Sequence, residues 1–195
     1  MVKRLIDIVF ALTGLILLIP VFLSIALLIK VNMPGSVIFR QIRTGRYGKP
    51  FVIYKFRTMI ENHGGSTISL NGEERITPLG AKLRKYKLDE IPELWNVLKG
   101  DMSIVGPRPD VPEYMNRLAG EERLILDLRP GITSPASLKY ANEEEIVASA
   151  PEPHRFYDEV IWPDKVRLNL NYYFSRNLIS DLHLILKTIF HNIRF

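Results

Sequence analysis

The chain is organised around the segment KLDEIPELWNVLKGD, residues 87–101, which is followed by VGPRP at residues 105–109. Two carboxylates, Asp89 and Glu90, stand side by side at the start of a predicted helix. In such a pair, one carboxylate can act as a nucleophile or metal ligand while its neighbour handles a proton or the surroundings of the metal. Basic residues flank the pair, and Arg and Lys side chains suit a phosphate-bearing substrate.

A capping role is the structural alternative for Asp89. An Asp at a helix N-cap accepts a hydrogen bond from an unpaired backbone N–H, and a Glu in the first turn is favoured by the helix dipole by roughly 0.3–1 kcal/mol. Pro92 fits the first turn because it lacks a donor that would be unpaired there in any case. The segment by itself favours capping, so the choice between a cap and a reactive group depends on the rest of the chain.

Composition limits the classes of function. A chain of 195 residues is long enough for one domain with its own core. It has no Cys, which excludes disulfides and thiolate metal sites, and its four His lack the spacing of a zinc site.

Positive charge is concentrated in the first third of the chain. Residues 8–60 contain no Asp or Glu, but they contain seven basic residues: Lys30, Arg40, Arg43, Arg46, Lys49, Lys55 and Arg57. Their field would attract nucleic acid, anionic lipid or a diphosphate. No recognised nucleic-acid-binding module is present and a membrane anchor argues against nucleic acid, so we expect no nucleic-acid partner.

An apolar segment near the N-terminus is suited to a membrane. Ile8 to Ile29 is 22 residues without a charge, and one straight helix of that length would span roughly 33 Å, enough to cross a bilayer. A cleaved signal peptide does not fit, because the run is too long and no small-x-small site follows it. An internal soluble helix does not fit either, because the segment has no polar face.

Pro20 leaves two topologies open for this segment. A proline inside a helix removes a donor and clashes with the preceding turn, at a cost of about 3 kcal/mol. It could kink the segment into arms of about 18 Å and 14 Å, neither of which crosses a bilayer. Basic residues at both ends are compatible with both ends on the cytoplasmic face. Because many spanning helices contain proline, a crossing and a dip that returns stay equally open at this point.

The middle of the chain predicts a β-hairpin. Residues 36–41 and 51–56 have strand patterns, and the segment between them, residues 44–50, is rich in turn formers. Lys55 and Arg57 alternate with apolar neighbours, so both could point to one face. A solvated strand face is the structural alternative for each of them.

A loop and a short helix are predicted between the hairpin and Asp89. Residues 61–77 are polar and contain glycine, which is typical of a loop that could cover a site. Residues 78–86 predict a helix that brings Arg84 towards Asp89.

The C-terminal part predicts an acidic helix start and an amphipathic helix. Residues 142–145, NEEE, predict a solvated helix start to which we assign no chemistry. From Ser180 onward apolar residues recur at helical spacing, and Ser180 or Asp181 can cap the helix. Such a helix either packs on a core or lies in the membrane interface with its apolar face down. Aromatic residues just before it would suit the headgroup layer: Tyr172, Tyr173 and Phe174.

Together these residues resemble the bacterial sugar transferase family, the small monotopic phosphoglycosyl transferases. The resemblance covers most of the chain and rests on five blocks in order: KFRTM at 55–59, LR with LDE at 83–90, LWNVLKGDMS at 94–103, GPRP at 106–109 and RPGIT at 129–133. These blocks identify a family but not a sugar. The chain departs from the family pattern at Ile19, where members carry Ser before the kinking proline.

The resemblance implies a reaction and its partners. Family members transfer a phospho-sugar from a nucleotide sugar, generally a UDP-sugar, to a polyprenyl phosphate, in bacteria undecaprenyl phosphate, and release the nucleoside monophosphate. This is a first membrane step of glycan assembly. Members carry a re-entrant N-terminal helix hairpin, so the resemblance favours a dip at Pro20. It implies a monotopic protein on the cytoplasmic face of the bacterial inner membrane, in contact with membrane lipids. A homo-oligomer stays open.

The resemblance also implies roles for residues. Asp89 would be the nucleophile that forms an aspartyl phospho-sugar and a ligand of Mg²⁺, and Glu90 would be a metal partner or proton acceptor. A carboxylate suits the nucleophile because its acyl phosphate is a good leaving group, and Mg²⁺ would offset the repulsion between the nucleophile and an anionic substrate. The implied phosphate-binding residues are Lys55, Arg84, Pro107, Arg108 and Arg129.

The expected fold is therefore α+β and mainly helical. Residues 1–33 would form a re-entrant membrane helix hairpin kinked at Pro20, and residues 34–195 would form a cytoplasmic, membrane-associated catalytic domain with a small β-hairpin and amphipathic interface helices. The alternative function is a non-enzymatic, membrane-anchored adaptor, in which Asp89 is a cap and the basic stretch binds anionic lipid.

Overall fold

The structure, a computed structural model, describes residues 2–60 and 75–193, so most of the loop predicted over 61–77 lies outside the described part. The fold is α+β and mainly helical, as the sequence predicts. Its strands are β1 (Ile38–Thr44), β2 (Pro50–Phe56), β3 (Ser103–Val105) and β4 (Gly131–Thr133). Its α-helices are α1 (Val2–Asn32), α2 (Pro78–Lys85), α3 (Glu93–Lys99), α4 (Pro112–Met115), α5 (Pro135–Lys139), α6 (Glu143–Ala148), α7 (Pro153–Phe156), α8 (Trp162–Ser175) and α9 (Leu178–Ile193).

Helix α1 runs from Val2 to Asn32 with Pro20 inside it, and it is long and apolar enough to cross a membrane. Both of its halves pack on the rest of the domain. Ala11 belongs to a core cluster that contains Val97 of α3. Ile25 and Ile29 belong to a second cluster with Phe56, Leu83 and Ile91. The opposite face of α1 is apolar and exposed.

Polar contacts fix the N-terminal turns of α1. Arg4 donates from Nη1 to the carbonyl of Val97 at 2.6 Å and from Nη2 to the carbonyl of Leu98 at 2.9 Å, so it binds two carbonyls in the last turn of α3. Asp7 is buried and accepts from Ser103 Oγ at 2.9 Å and from the backbone N–H of Ile104 at 2.9 Å. These bonds hold α1 beside α3 and β3.

The predicted β-hairpin is confirmed, with slightly different bounds. Strands β1 and β2 pair antiparallel, with Ile38 opposite Phe56 and Thr44 opposite Pro50. Asn96 of α3 ties β2 to the helix, because its side-chain oxygen accepts from the N–H of Tyr54 at 3.1 Å and its amide donates to the carbonyl of Val52 at 2.7 Å. This link places the end of β2 beside the start of α3.

Strands β3 and β4 form a short parallel pair that carries the GPRP segment. Gly106 and Gly131 approach each other so closely that a Cβ on Gly106 would lie 2.2 Å from the carbonyl oxygen of Arg129. The space admits no side chain, so both positions need glycine. The pair fixes where residues 107–109 leave the sheet.

The prediction that Ser180 or Asp181 caps the last helix is wrong. Helix α9 begins at Leu178, and Asn177 acts as its cap, because its side-chain oxygen accepts from the N–H of Ser180 at 2.9 Å. Asp181 is buried instead, where it accepts from the hydroxyl of Tyr172. On α9, Ile185 is buried, while Leu182, Leu186 and Phe190 are exposed. One side of α9 therefore packs on the domain, where Ile185 joins a cluster with Val105 and Tyr172, and its other side is apolar and exposed.

Candidate active site

A cleft of about 1540 Å³ lies between the hairpin, α2, the start of α3 and the segment that contains α6. Five of the residues implied by the family resemblance line it together: Lys55, Arg84, Asp89, Glu90 and Arg108. Asp89 and Glu90 share one turn, whereas the three cations come from three other parts of the chain, so the fold assembles one mixed cluster of cations and carboxylates.

Asp89 does not cap a helix, and the capping interpretation is wrong. It lies inside a 3₁₀ turn, Leu88–Glu90, which Lys87 precedes in a left-handed conformation with φ 54°. Helix α3 begins only at Glu93, and neither the turn nor α3 has a side-chain cap bond. Among the described residues, the buried Oδ1 of Asp89 has no hydrogen-bond partner. A buried carboxylate oxygen left without a donor is costly, which is unusual unless the oxygen has a function.

The surroundings of Asp89 destabilise its ionised form but still allow ionisation at neutral pH. Burial raises its pKa to about 6, with a further contribution from the neighbouring charge of Glu90. The cations Lys55, Lys87 and Arg84 oppose this shift. At neutral pH the carboxylate is therefore mostly ionised, and it is less stabilised than an ordinary surface Asp.

Glu90 is held as an anion between two cations. Its Oε1 accepts from Lys55 Nζ at 2.7 Å and from Arg108 Nη2 at 2.5 Å, and its Oε2 lies 3.4 Å from Arg108 Nη1. Burial alone would raise its pKa, but Arg108 and Lys55 outweigh burial and hold the pKa well below its usual range. A carboxylate held this way is a poor proton acceptor at neutral pH, so the geometry favours a role in orienting Lys55 and Arg108.

Glu93, which the sequence analysis missed, completes the cluster. It is 1% exposed, and Lys55 Nζ lies 3.1 Å from its Oε1. Burial raises its pKa to about 7, although Lys55 opposes the shift. Its position three residues after Glu90 was the available signal, because residues three apart share one side of a helical segment.

Two implied phosphate-binding residues, Pro107 and Arg129, do not line the cleft among the described residues, and their role in phosphate binding stays a prediction. Arg129 donates from Nε to the carbonyl of Gly100 at 2.9 Å, and so it satisfies a backbone group after α3. Pro107 is buried, and its carbonyl accepts from the N–H of Gly131 at 2.8 Å. Both residues hold the scaffold that presents Arg108.

The far wall of the cleft contains a polar cluster that sequence reasoning also missed. Lys165 of α8 is buried, and its Nζ lies 3.0 Å from Glu143 Oε2 and 3.3 Å from the hydroxyl of Tyr157. Arg84 on the near wall forms an ion pair with Glu144. The acidic segment predicted to be solvated therefore contributes two carboxylates to the cleft.

The described residues of the cleft suit a divalent cation that is bound together with substrate phosphates. Within residues 2–60 and 75–193, no group of three or more His or acidic residues could enclose a metal. Mg²⁺ is usually held by one or two carboxylates together with substrate phosphates, and the carboxylate of Asp89, which lines the cleft, could supply one such ligand. The residues thus suit a cation that a phosphate substrate helps to bind.

The structure shows a domain with a long apolar N-terminal helix and a cleft that presents a buried carboxylate among cations. The family model of bacterial sugar transferases matches residues 1–194, so the chain belongs to that family.

Individual relatives differ in the sugar that their names specify. The chain is 33% identical to a UDP-N-acetylgalactosamine-undecaprenyl-phosphate N-acetylgalactosaminephosphotransferase of Aeromonas hydrophila, over 96% of this chain and 43% of that protein. It is 43% identical to the UDP-glucose:undecaprenyl-phosphate glucose-1-phosphate transferase of Escherichia coli, over 71% of this chain and 31% of that protein. It is 32% identical to the uncharacterized sugar transferase EpsL of Bacillus subtilis, over 96% of this chain and 85% of that protein. The chain thus spans less than half the length of the first two of these relatives.

Proposed function

We propose that this chain is a phosphoglycosyl transferase that moves a sugar 1-phosphate from a UDP-sugar to undecaprenyl phosphate and releases UMP. The observation that carries the proposal is the buried, unpartnered Oδ1 of Asp89 in a cleft lined by cations. Two relatives named for the same type of reaction support it. Because those relatives differ in their sugar, the donor is left as a class.

In the proposed mechanism Asp89 acts first as the nucleophile and then as the leaving group. Its Oδ1 attacks the phosphorus that bears the sugar, an O–P bond forms, and the bond to the UMP oxygen breaks with its electron pair leaving on UMP. An oxygen of undecaprenyl phosphate then attacks the same phosphorus to form a new O–P bond, and the P–O bond to Asp89 breaks with its electron pair returning to the carboxylate. Since Oδ1 has no hydrogen bond to surrender, attack costs no existing contact of that atom.

The cations around Asp89 are proposed to hold the phosphate groups. Lys55 and Arg108 are fixed by Glu90, so their charges stay oriented in the cleft without further ordering. Mg²⁺ would be held by Asp89 together with the diphosphate oxygens, where it would offset negative charge as the leaving group departs.

We propose that α1 is re-entrant and that both of its ends lie on the cytoplasmic side. The support is that residues near each end contact one and the same domain: Arg4 bonds to the end of α3, and the main-chain carbonyl of Met33 accepts from Arg57 at 2.7 Å. The exposed apolar faces of α1 and α9 would then hold Asp89 at the depth of the lipid phosphate.

This topology is tested by labelling single cysteines, for which a chain without native Cys gives a clean background. We expect Val2→Cys to resist a membrane-impermeant maleimide in intact spheroplasts and to react after permeabilisation. Glu145→Cys, on the exposed side of α6, is the matched control for the cytoplasmic side. Labelling of Val2→Cys but not of Glu145→Cys in intact spheroplasts would show that α1 crosses the membrane.

The reaction itself is tested by UMP release from purified protein in nanodiscs with undecaprenyl phosphate, Mg²⁺ and a panel of UDP-sugars. We expect one donor to release UMP, with loss of release when Mg²⁺ is chelated. No release from any UDP-sugar, although the protein is folded, would contradict the proposed reaction.

The pH dependence of the donor reaction follows from the raised pKa of Asp89. The nucleophile must be ionised, so kcat/KM for the UDP-sugar should rise with pH through about 6 and level off above it. Measuring kcat/KM for the donor at saturating undecaprenyl phosphate removes the ionisation of the acceptor from the profile. Glu93→Gln is the control for the other carboxyl with a raised pKa and should keep the limb near pH 6. If kcat/KM for the donor is constant or falls from about pH 5 to about pH 7, the range around this pKa, the assignment of Asp89 as the ionised nucleophile is contradicted.

A further inference from the structure

Two neighbouring carboxylates of helix α6 pair with cations on two other helices that line the cleft, α8 and α2. Glu143 pairs with the buried Lys165 at 3.0 Å, and Glu144 pairs with Arg84 of α2. The next residue, Glu145, is exposed, and no ion pair involving it is found within the described ranges. Three successive residues of α6 thus differ in their partners: Glu143 pairs with a buried lysine, Glu144 pairs with a cation of the cleft, and Glu145 is exposed to solvent.

Arg84 differs from the other cleft cations in the partner that it holds. Lys55 and Arg108 pair with Glu90, whose side chain is only 8% exposed, so that partner is largely shielded from water. The side chain of Glu144 is 38% exposed, while that of Arg84 is 19% exposed. An ion pair with one side chain at the surface is weak and readily exchanged. Arg84 is also close enough to Asp89 for its charge to lower the pKa of that carboxyl.

The backbone of α6 is anchored, so an exchange at Glu144 needs only a side-chain rotation. Val147 is 1% exposed and packs in a cluster with Tyr114, Tyr157 and Ile161. The pair of Glu143 with Lys165 fixes the first turn of the same helix. Glu144 can therefore leave Arg84 for water without moving the wall of the cleft.

We infer that Glu144 is an internal competitor of the donor: its carboxylate and a phosphate group of the nucleotide sugar exchange places on Arg84. This inference rests on the proposed function, and it assigns Glu144 a part in setting donor affinity. Binding of the diphosphate releases Glu144 to water, and return of Glu144 to Arg84 assists departure of the nucleoside monophosphate. The competition sets KM for the donor and the rate of product release, while Asp89 and its chemistry stay unchanged.

The test is calorimetric titration of inorganic pyrophosphate with Mg²⁺ into the full chain in nanodiscs. Glu144→Gln should bind pyrophosphate about two- to fivefold more tightly than the wild type, the range expected from removing a weak ion pair. Glu145→Gln, which removes the same charge one residue away, is the matched control and should leave the affinity unchanged. Arg84→Gln should bind more weakly, and adding Glu144→Gln to Arg84→Gln should give no gain.

Four results would overturn the inference: unchanged or weaker binding in Glu144→Gln, an equal gain in Glu145→Gln, a gain that persists without Arg84, or no pyrophosphate binding by any of the proteins. A purely structural role of Glu144 would weaken binding, so the sign of the effect separates the two. Pyrophosphate binding needs no turnover. Suppose that Glu144→Gln binds pyrophosphate more tightly only when Arg84 is present, but the protein releases no UMP. The proposed reaction would then be rejected, while the competition at Arg84 would be supported.

Discussion

Asp89→Asn should abolish UMP release and, in the same protein, stabilise the fold. The loss of activity is expected to be at least about 10³-fold, because an amide cannot replace the attacking carboxylate. The gain in stability follows from the raised pKa. Folding shifts the pKa of Asp89 from 3.8 to about 6, so the ionised form is penalised in the folded state at neutral pH. Asn removes that penalty, which corresponds to about 1–3 kcal/mol in the free energy of unfolding.

The sign of this effect can be checked by thermal unfolding as a function of pH. A raised folded pKa means that the contribution of Asp89 to stability is present below the unfolded pKa and is lost as pH rises through about 6. The stability gap between Asp89→Asn and the wild type should therefore be largest above pH 6 and vanish towards pH 4. A variant that keeps its activity, or that is less stable than the wild type at pH 7.5, would contradict the account of Asp89.

Glu90→Gln should have the opposite effect on stability although it changes the adjacent residue in the same way. Glu90 neutralises Lys55 and Arg108 inside the protein, at 2.7 Å and 2.5 Å. Removing one member of a buried ion pair leaves uncompensated charge, which typically costs about 3–5 kcal/mol. We expect the free energy of unfolding at pH 7.5 to fall by about 3 kcal/mol, since Gln still offers one acceptor oxygen.

The comparison of the two amide variants by denaturant unfolding measures this contrast directly. The stability that Glu90 supplies is present above its unfolded pKa of 4.5 and is lost as pH falls through its lowered folded pKa, so the deficit of Glu90→Gln should shrink in acid. Pairing Glu90→Gln with Arg108→Gln is the control, because it removes one of the stranded cations and should recover part of the loss. A deficit below about 1 kcal/mol would place the pair among weak surface ion pairs.

Local sequence patterns predicted the elements that build the site. Strand patterns and turn formers predicted the hairpin that carries Lys55, and residues 78–86 were predicted to form the helix that carries Arg84. These features depend on neighbours in the chain. The same local rules failed at Asp89, because an acidic residue before a helical pattern is normally a cap. Here the 3₁₀ turn separates Asp89 from α3.

The remaining differences arise from contacts between distant parts of the chain. The resemblance implies that Arg129 binds phosphate, which stays a prediction, and the structure adds a bond from its Nε to the carbonyl of Gly100. The pairs of Glu143 with Lys165 and of Glu144 with Arg84 join residues 22 and 60 positions apart. No local periodicity encodes such pairs, so the acidic segment was predicted to be solvated. The packing of α9 could not be predicted either, because a regular apolar stripe suits lipid as well as a protein core; the structure buries Ile185 and leaves Leu182 and Leu186 exposed.

The central claim is that Asp89 forms a covalent bond to the phospho-sugar before the acceptor takes part. It is tested most directly by mixing the protein in nanodiscs with its UDP-sugar and Mg²⁺, without undecaprenyl phosphate, and measuring UMP and the intact mass together. The account predicts a burst of about one UMP per protein and a mass gain of one sugar phosphate, both missing in Asp89→Asn. UMP that appears only after undecaprenyl phosphate is added, with no mass gain at any time, would contradict it.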